Sequence, residues 1–145
     1  MRQGMLDTNI LILRALIDES LLPQECAISA VVLGELAAGV HQVRPDLPDA
    51  DLLRSERLVL LQQAEAEFDP IPYTAAAARM YGRMAAAVLA PGRVPRSRTS
   101  DLMIAATAAT EQLPLCTTNP DDYHGLEKLV TIVAIPRPHR PAAHT

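Results

Sequence analysis

Aromatic side chains are scarce in this sequence. Its 145 residues include three Tyr, one Phe and no Trp. The core must therefore be built from Leu, Val, Ile, Ala and Met. Proteins that bind nucleic acids by stacking bases need several aromatic side chains on one surface. The composition argues against that class of binding protein.

Cysteines are also few, and their spacing argues against the usual cysteine sites. Cys26 and Cys116 are far apart in the chain, and no C-x-x-C pair is present. Both fall in apolar, strand-like runs, so we expect buried, reduced thiols rather than a disulfide or a zinc site. Reduced thiols are typical of a reducing cytosol, so we expect a cytoplasmic protein.

The chain has neither a long apolar run nor an excess of positive charge. Every apolar stretch is well short of the roughly 18 residues of a membrane span, and Asp7 interrupts the N-terminus before a signal peptide could form. We therefore expect no membrane segment. Because the formal net charge is −4, a polyanionic partner must be met by a local basic patch or by metal.

Strand-like apolar runs alternate with helical patterns along the chain. We predict strands at 4–6, 25–28, around Phe68 and Ile71, 113–117 and 131–135. We predict helices at 10–18, 30–43, 49–67, 74–89 and 101–112, with Thr8 or Asn9, Ser29, and Thr99 or Ser100 as caps. Such alternation predicts an α/β fold whose mainly parallel sheet of four to five strands is covered on both faces.

The length and the proline distribution predict one domain and a tail. We expect a single domain over residues 1–135, because a chain of this length can bury one core. The Pro-rich residues 136–145 cannot form a helix or a central strand, so we expect them to be disordered.

Three acidic residues lie where this fold would bring them to one spot. Asp7 ends the first strand, Glu35 lies inside an apolar helix, and Asp101 opens a later helix. An unpaired carboxylate at the border of a core costs several kcal/mol, and a divalent cation is a suitable partner. Binding sites in parallel sheets usually lie at the carboxyl ends of the strands. Taken singly, Asp7 could be a helix cap, Asp101 a first-turn acid, and Glu35 part of a solvated face.

Two further segments offer polar side chains to the same region. Residues 119–122, Asn-Pro-Asp-Asp, follow the fourth predicted strand and could be ligands or a solvated turn. Arg93, Arg96 and Arg98 precede Asp101, and they could position RNA phosphates or belong to an ordinary solvated loop.

Four segments in this order resemble the signature segments of PIN-domain nucleases. They are MLDTN at 5–9, SAVVLGEL at 29–36, DLMIAA at 101–106 and TN at 118–119. The resemblance covers nearly the whole chain apart from the tail. The most similar subgroup is the VapC toxins of bacterial VapBC toxin–antitoxin pairs.

The resemblance implies a PIN-like three-layer α/β/α fold and a metal-dependent endoribonuclease that hydrolyses RNA phosphodiester bonds. It implies that Asp7, Glu35 and Asp101 are the catalytic, metal-binding acids, with Mg²⁺ or Mn²⁺ as the cofactor. The family often has a fourth acid where this chain has Asn119, so either Asn119 or Asp122 is expected as the fourth ligand. A VapB-like antitoxin is the implied partner, with a homodimer that forms a heterotetramer or larger complex.

Other functions remain open from the sequence. A DNA-directed nuclease would need the same acids, and a catalytically degenerate domain that binds RNA or a partner would fit the Asn at position 119. An aspartyl-phosphate phosphatase would be expected to show Asp-x-Asp, but position 9 is Asn. There is no Gly-rich phosphate loop and no G-x-S-x-G, which excludes the corresponding nucleotide-dependent and acyl-transfer enzymes.

Overall fold

A computed structural model describes residues 1–89 and 98–139 of the protein. Four strands lie in this part of the chain: β1 (Gln3–Leu6), β2 (Glu25–Ala27), β3 (Leu115–Thr117) and β4 (Ile132–Ala134). The α-helices are α1 (Thr8–Leu13), α2 (Ala30–His41), α3 (Ala50–Glu67), α4 (Ala75–Leu89) and α5 (Thr99–Thr110). Short 3₁₀ helices span Arg14–Leu16, Glu19–Leu21 and Pro120–Tyr123.

The four strands form one parallel sheet in the order β2-β1-β3-β4. Both central strands are apolar, and Met5, Leu6, Leu115 and Cys116 are fully buried. Helices cover the sheet because each crossover between parallel strands must pass over a face. The predicted α/β fold with a sheet of four to five parallel strands is thus confirmed, with four strands in the described residues.

The strand predicted around Phe68 and Ile71 is wrong. Ile71 makes only an isolated parallel bridge to Ser29, in which its amide donates to the Ile28 carbonyl at 2.9 Å. Pro70 and Pro72 flank Ile71 and have no amide hydrogens, so this segment cannot donate a continuous ladder of hydrogen bonds.

Two of the predicted helix caps are also wrong. The first helix is capped by Asp7, not by Thr8 or Asn9, and its α-helical part ends at Leu13. The N-cap position of α5 is Arg98, with Thr99 already the first helical residue and no side-chain cap. Ser29 caps α2 as predicted, since its hydroxyl oxygen accepts from the Val32 amide at 3.1 Å.

The cysteines differ in exposure, although both carry free thiols. Cys116 is buried in the central strand β3, whereas Cys26 is only half-buried because β2 lies at the edge of the sheet. The prediction that both thiols are buried is therefore wrong for Cys26. Burial raises the pKa of both thiols, that of Cys116 to about 12.

The sequence predicted one domain over residues 1–135 and a disordered tail over residues 136–145. Residues 136–139 have no regular secondary structure, and residues 140–145 lie outside the described part, so the boundary stays a prediction. None of the helices within residues 1–89 and 98–139 has the length and apolar character that crossing a membrane requires.

Candidate metal and nucleic-acid site

Asp7 lies directly after β1, and it is the only charged side chain that is buried in the described residues, with 4% of its surface exposed. Its Oδ1 accepts from the Ile10 amide at 3.0 Å, and the Thr117 hydroxyl also donates to its carboxylate. Burial raises the pKa of Asp7, while these two hydrogen bonds lower it. Asp7 is therefore both a helix cap and an acid that faces the carboxyl end of β3, so the two interpretations of this residue are compatible.

Glu35 projects from the second turn of α2, which starts directly after β2 and Ser29. Its Oε1 accepts from the Thr8 hydroxyl at 2.8 Å, and the carboxylate is half-buried. Thr8 was one of the two residues predicted to cap α1. Instead it orients Glu35, because α1 and α2 pack side by side at this end of the sheet.

Asp101 lies in the first turn of α5 and is half-buried. Burial raises the pKa of Asp101 to about 6, with further upward contributions from Asp122, Glu35 and Asp7 and a downward one from Arg98. Like charges raise a carboxyl pKa only when they are close, so the fold brings these four acids into one electrostatic cluster. We refer to Asp7, Glu35, Asp101 and Asp122 as the acidic cluster.

The acidic cluster is close enough for electrostatic interaction but is not a preformed cage. In residues 1–89 and 98–139, no three His, Cys, Asp or Glu side chains converge closely enough to enclose an ion. Electrostatic interaction between the acids and direct ligation of an ion require different distances. Charges in a protein interact over several ångströms, whereas Mg²⁺ ligation requires oxygens at roughly 2.1 Å.

Asn119 and Asp122, the two candidates for a fourth ligand, are both half-buried and belong to one turn after β3. Asp122 lies in the 3₁₀ helix Pro120–Tyr123 and is the carboxylate with the largest effect on Asp101. The Asn119 Oδ1 lies 3.4 Å from Nη1 of Arg137. Asp122 is thus close enough to Asp101 to interact with its charge, and the choice of fourth ligand between Asn119 and Asp122 stays a prediction.

The basic loop is only partly described. Arg93 and Arg96 lie outside the described residues, so their predicted contact with phosphates stays a prediction. Arg98 is half-buried, and its Nη1 donates to the main-chain carbonyls of Asp121 at 3.0 Å and Asp122 at 2.8 Å. This arginine thus holds the turn that carries Asp122.

Thr117 was not predicted as a site residue, and Thr8 was predicted as a helix cap. Thr117 is fully buried at the end of β3, where its Oγ1 accepts from the Asn119 amide at 3.0 Å while its hydroxyl donates to Asp7. A hydroxyl in a buried apolar strand was a usable signal, because it needs a hydrogen-bond partner.

The donor set fits a hard divalent cation. All four members of the cluster are carboxylates, and carboxylate oxygens are the ligands that Mg²⁺ and Mn²⁺ prefer. The raised pKa of Asp101 reflects burial among negative charges, which is the conflict that a bound cation relieves.

Comparisons with known proteins agree with this geometry. The family model described as the PIN domain matches residues 5–128. Ribonuclease VapC5 of Mycobacterium tuberculosis (strain ATCC 25618 / H37Rv) is 34% identical over 135 residues, which cover 91% of this chain and 93% of the relative.

Solved structures share the fold. The crystal structure of a member of the VapBC family of toxin–antitoxin systems, VapBC-5 from Mycobacterium tuberculosis, matches with a TM-score of 0.75 and 33% identity over 93% of this chain and 98% of that one. The structure of VapBC-1 from nontypeable Haemophilus influenzae matches with a TM-score of 0.69 and 19% identity over 91% and 97% of the two chains. At 19% identity, the second likeness is one of fold alone.

Proposed function

Because this chain belongs to the PIN domain family, we propose that it is a metal-dependent endoribonuclease acting as the toxin of a VapBC-type toxin–antitoxin pair. The relative named Ribonuclease VapC5 supports the ribonuclease activity, since the likeness extends over 91% of the chain. The observation that carries the proposal is the acidic cluster, in which three other carboxylates and burial raise the pKa of Asp101 to about 6.

In this proposal Asp7, Glu35 and Asp101 hold a Mg²⁺ or Mn²⁺ ion, with Asp122 as the fourth acid. The positive charge of the ion would stabilise the negative charge that develops on the scissile phosphate. The ion would also lower the pKa of a water bound to it. The chain's own contribution is to orient the ligands. The Ile10 amide and Thr117 hydroxyl hold Asp7, and the Thr8 hydroxyl holds Glu35.

Asp7→Asn and Asp101→Asn test the catalytic assignment, because each keeps the side-chain size and removes the ligand charge. We expect each to reduce RNA cleavage with Mg²⁺ or Mn²⁺ at least ~10²-fold, since several kcal/mol of charge stabilisation depend on the ion. Glu35→Gln should behave likewise. Cleavage should also stop when a chelator is added to the unmodified protein.

Glu56→Gln is the matched control, since it neutralises an exposed carboxylate on α3. It should leave the cleavage rate unchanged. Full activity in purified Asp7→Asn and Asp101→Asn proteins would contradict the assignment of these two acids to the catalytic site.

The proposed partner is a VapB-like antitoxin, supported by the VapBC complexes among the structural relatives. Large apolar side chains that are exposed offer surface for such a partner or for a second copy of the chain; they include Ile12, Leu16, Leu52, Leu58 and Val59. The free cysteines fit action in the reducing cytosol.

The partner is tested by co-expression with the short open reading frame that we expect directly upstream of the gene. The two chains should purify as one complex that contains two or more copies of this protein. A monomer that purifies alone from its native host and is harmless when overproduced would contradict the toxin assignment but not the nuclease activity.

A further inference from the structure

Arg98 joins two parts of the acidic cluster that are far apart in the sequence. It lies at the N-cap position of α5, three residues before Asp101. Its Nη1 donates to the carbonyl oxygens of Asp121 and Asp122 at 3.0 and 2.8 Å. One guanidinium therefore connects the start of α5 to the 3₁₀ helix Pro120–Tyr123.

We propose that Arg98 is a positioning residue of the proposed nuclease site, which holds the Asp122 turn against Asp101 through its hydrogen bonds to the main chain of that turn. The proposal rests on the proposed function for the site itself. It assigns Arg98 a role different from the contact with RNA phosphates that the sequence suggested.

Arg98 adds a donor from outside the turn to the carbonyls of Asp121 and Asp122. The Asp121 carbonyl accepts from the His124 amide at 3.2 Å, and the Asp122 amide donates to the Asn119 carbonyl at 3.1 Å. The ends of helical turns leave carbonyl groups without a partner in the turn, and a cationic side chain is a good donor for them. Arg98 supplies that donor from a neighbouring element.

The repulsion between Asp101 and Asp122 also supports a positioning role for Arg98. Asp122 and Asp101 repel each other, and nothing in the covalent chain holds them together, since 20 residues separate them in the sequence. A cation that binds the Asp122 main chain keeps the two acids close in spite of this repulsion. Positioning groups outside the metal ligands commonly change metal affinity by roughly 10- to 100-fold.

Arg98→Ala is the test, and Arg98→Lys is the conservative variant. Mn²⁺ affinity would be measured by electron paramagnetic resonance, and RNA affinity would be measured in EDTA, where no metal contributes. For Arg98→Ala we expect Mn²⁺ affinity to fall roughly tenfold or more. RNA affinity in EDTA should stay within about twofold, since the guanidinium is engaged by the protein main chain. Arg98→Lys should recover part of the Mn²⁺ affinity.

Hydrogen exchange of the Asp122 and His124 amides provides a readout that needs neither metal nor RNA. Both amides should exchange faster in Arg98→Ala than in the unmodified protein. If the unmodified protein bound no Mn²⁺, the proposed function would fail, while the exchange rates would still decide whether Arg98 holds the turn.

Arg57→Ala is the matched control, because Arg57 Nη1 also donates to a main-chain carbonyl, that of Gly39 at 2.7 Å, and joins α3 to α2. It should leave Mn²⁺ affinity and the exchange of the Asp122 amide unchanged. A loss of RNA affinity in EDTA with unchanged Mn²⁺ affinity would make Arg98 a phosphate contact instead. Unchanged Mn²⁺ affinity and unchanged exchange in Arg98→Ala would overturn the proposal.

Discussion

At the scale of single residues, the site combines burial with charge of one sign. Asp7 is 4% exposed, and Asp101 is half-buried beside three other acids. Desolvation and repulsion both favour the protonated form of a carboxyl group, which is why both pKa values are raised. A cluster of this kind destabilises the metal-free fold at neutral pH.

Asp101→Asn should therefore stabilise the metal-free protein at neutral pH. The folded pKa of about 6 lies above the unfolded value of 3.8, so the folded state binds the proton more tightly. The contribution of Asp101 to stability is present below pH 3.8 and is lost as the pH rises through about 6. We expect a gain of roughly 1–2 kcal/mol at pH 7.5, discounted for the partial exposure of the group.

Urea unfolding in EDTA at several pH values measures this effect. The advantage of Asp101→Asn over the unmodified protein should shrink as the pH falls from 7.5 and should vanish near pH 4. An advantage that is the same at every pH would mean that the charge of Asp101 is not its cause. Glu56→Gln, at an exposed position, should show no advantage at any pH.

At the scale of elements, short strands and capped helices position the site. Asp7 and the Asn119 turn directly follow the neighbouring strands β1 and β3, and α2 and α5 bring Glu35 and Asp101 to the same edge. The strands are only three or four residues long, so the close packing around them matters for the geometry of the edge.

Gly4 is one point where this packing leaves no room for a side chain. A Cβ at this position in β1 would lie 2.6 Å from Cγ of Pro23 and 3.4 Å from Sγ of Cys116. Gly4→Ala should cost roughly 1–3 kcal/mol, because overpacking a well-filled region forces its neighbours to move.

Gly82→Ala is the matched control, since Gly82 lies on the exposed side of α4 with nothing within 4 Å of its Cβ position. It should stabilise the protein by up to about 1 kcal/mol through helix propensity. The free energies of unfolding from urea titrations compare the two variants. Equal effects would contradict the close contact at Gly4.

At the scale of the whole molecule, one hydrophobic core joins the elements. The buried cluster includes residues from β1 and β3 and from all five α-helices. Cys26 and Ala27 of β2 and Ile132 and Val133 of β4 pack against it. A single shared core means that no element in the described part of the chain can unfold at little cost to the others.

We therefore expect one cooperative unfolding transition. Circular dichroism of the helices and fluorescence of the tyrosines, including the buried Tyr123, should give the same midpoint in urea. Adding a reductant should not move it, since both cysteines are free. Two separate midpoints would show that part of the chain unfolds independently.

The sequence by itself determined the α/β class and the position of each acid on its element, but it also predicted a strand around Phe68 and Ile71 where the structure has only an isolated bridge. Periodicity and caps such as Ser29 are local, and local patterns can be read without the fold. The sequence also predicted that Asp7, Glu35 and Asp101 share one edge, because consecutive parallel strands present their carboxyl ends together.

Only the tertiary structure decided which groups contact each acid. Thr8 donates to Glu35, Thr117 donates to Asp7, and Arg98 holds the turn of Asp122. The partners in these pairs are 24 or more residues apart in the chain, and no local pattern encodes such a contact. The single bridge at Ile71 likewise depends on where β2 ends in space. Local hydrogen bonds and periodicity determine the elements, whereas long-range packing determines which side chains meet.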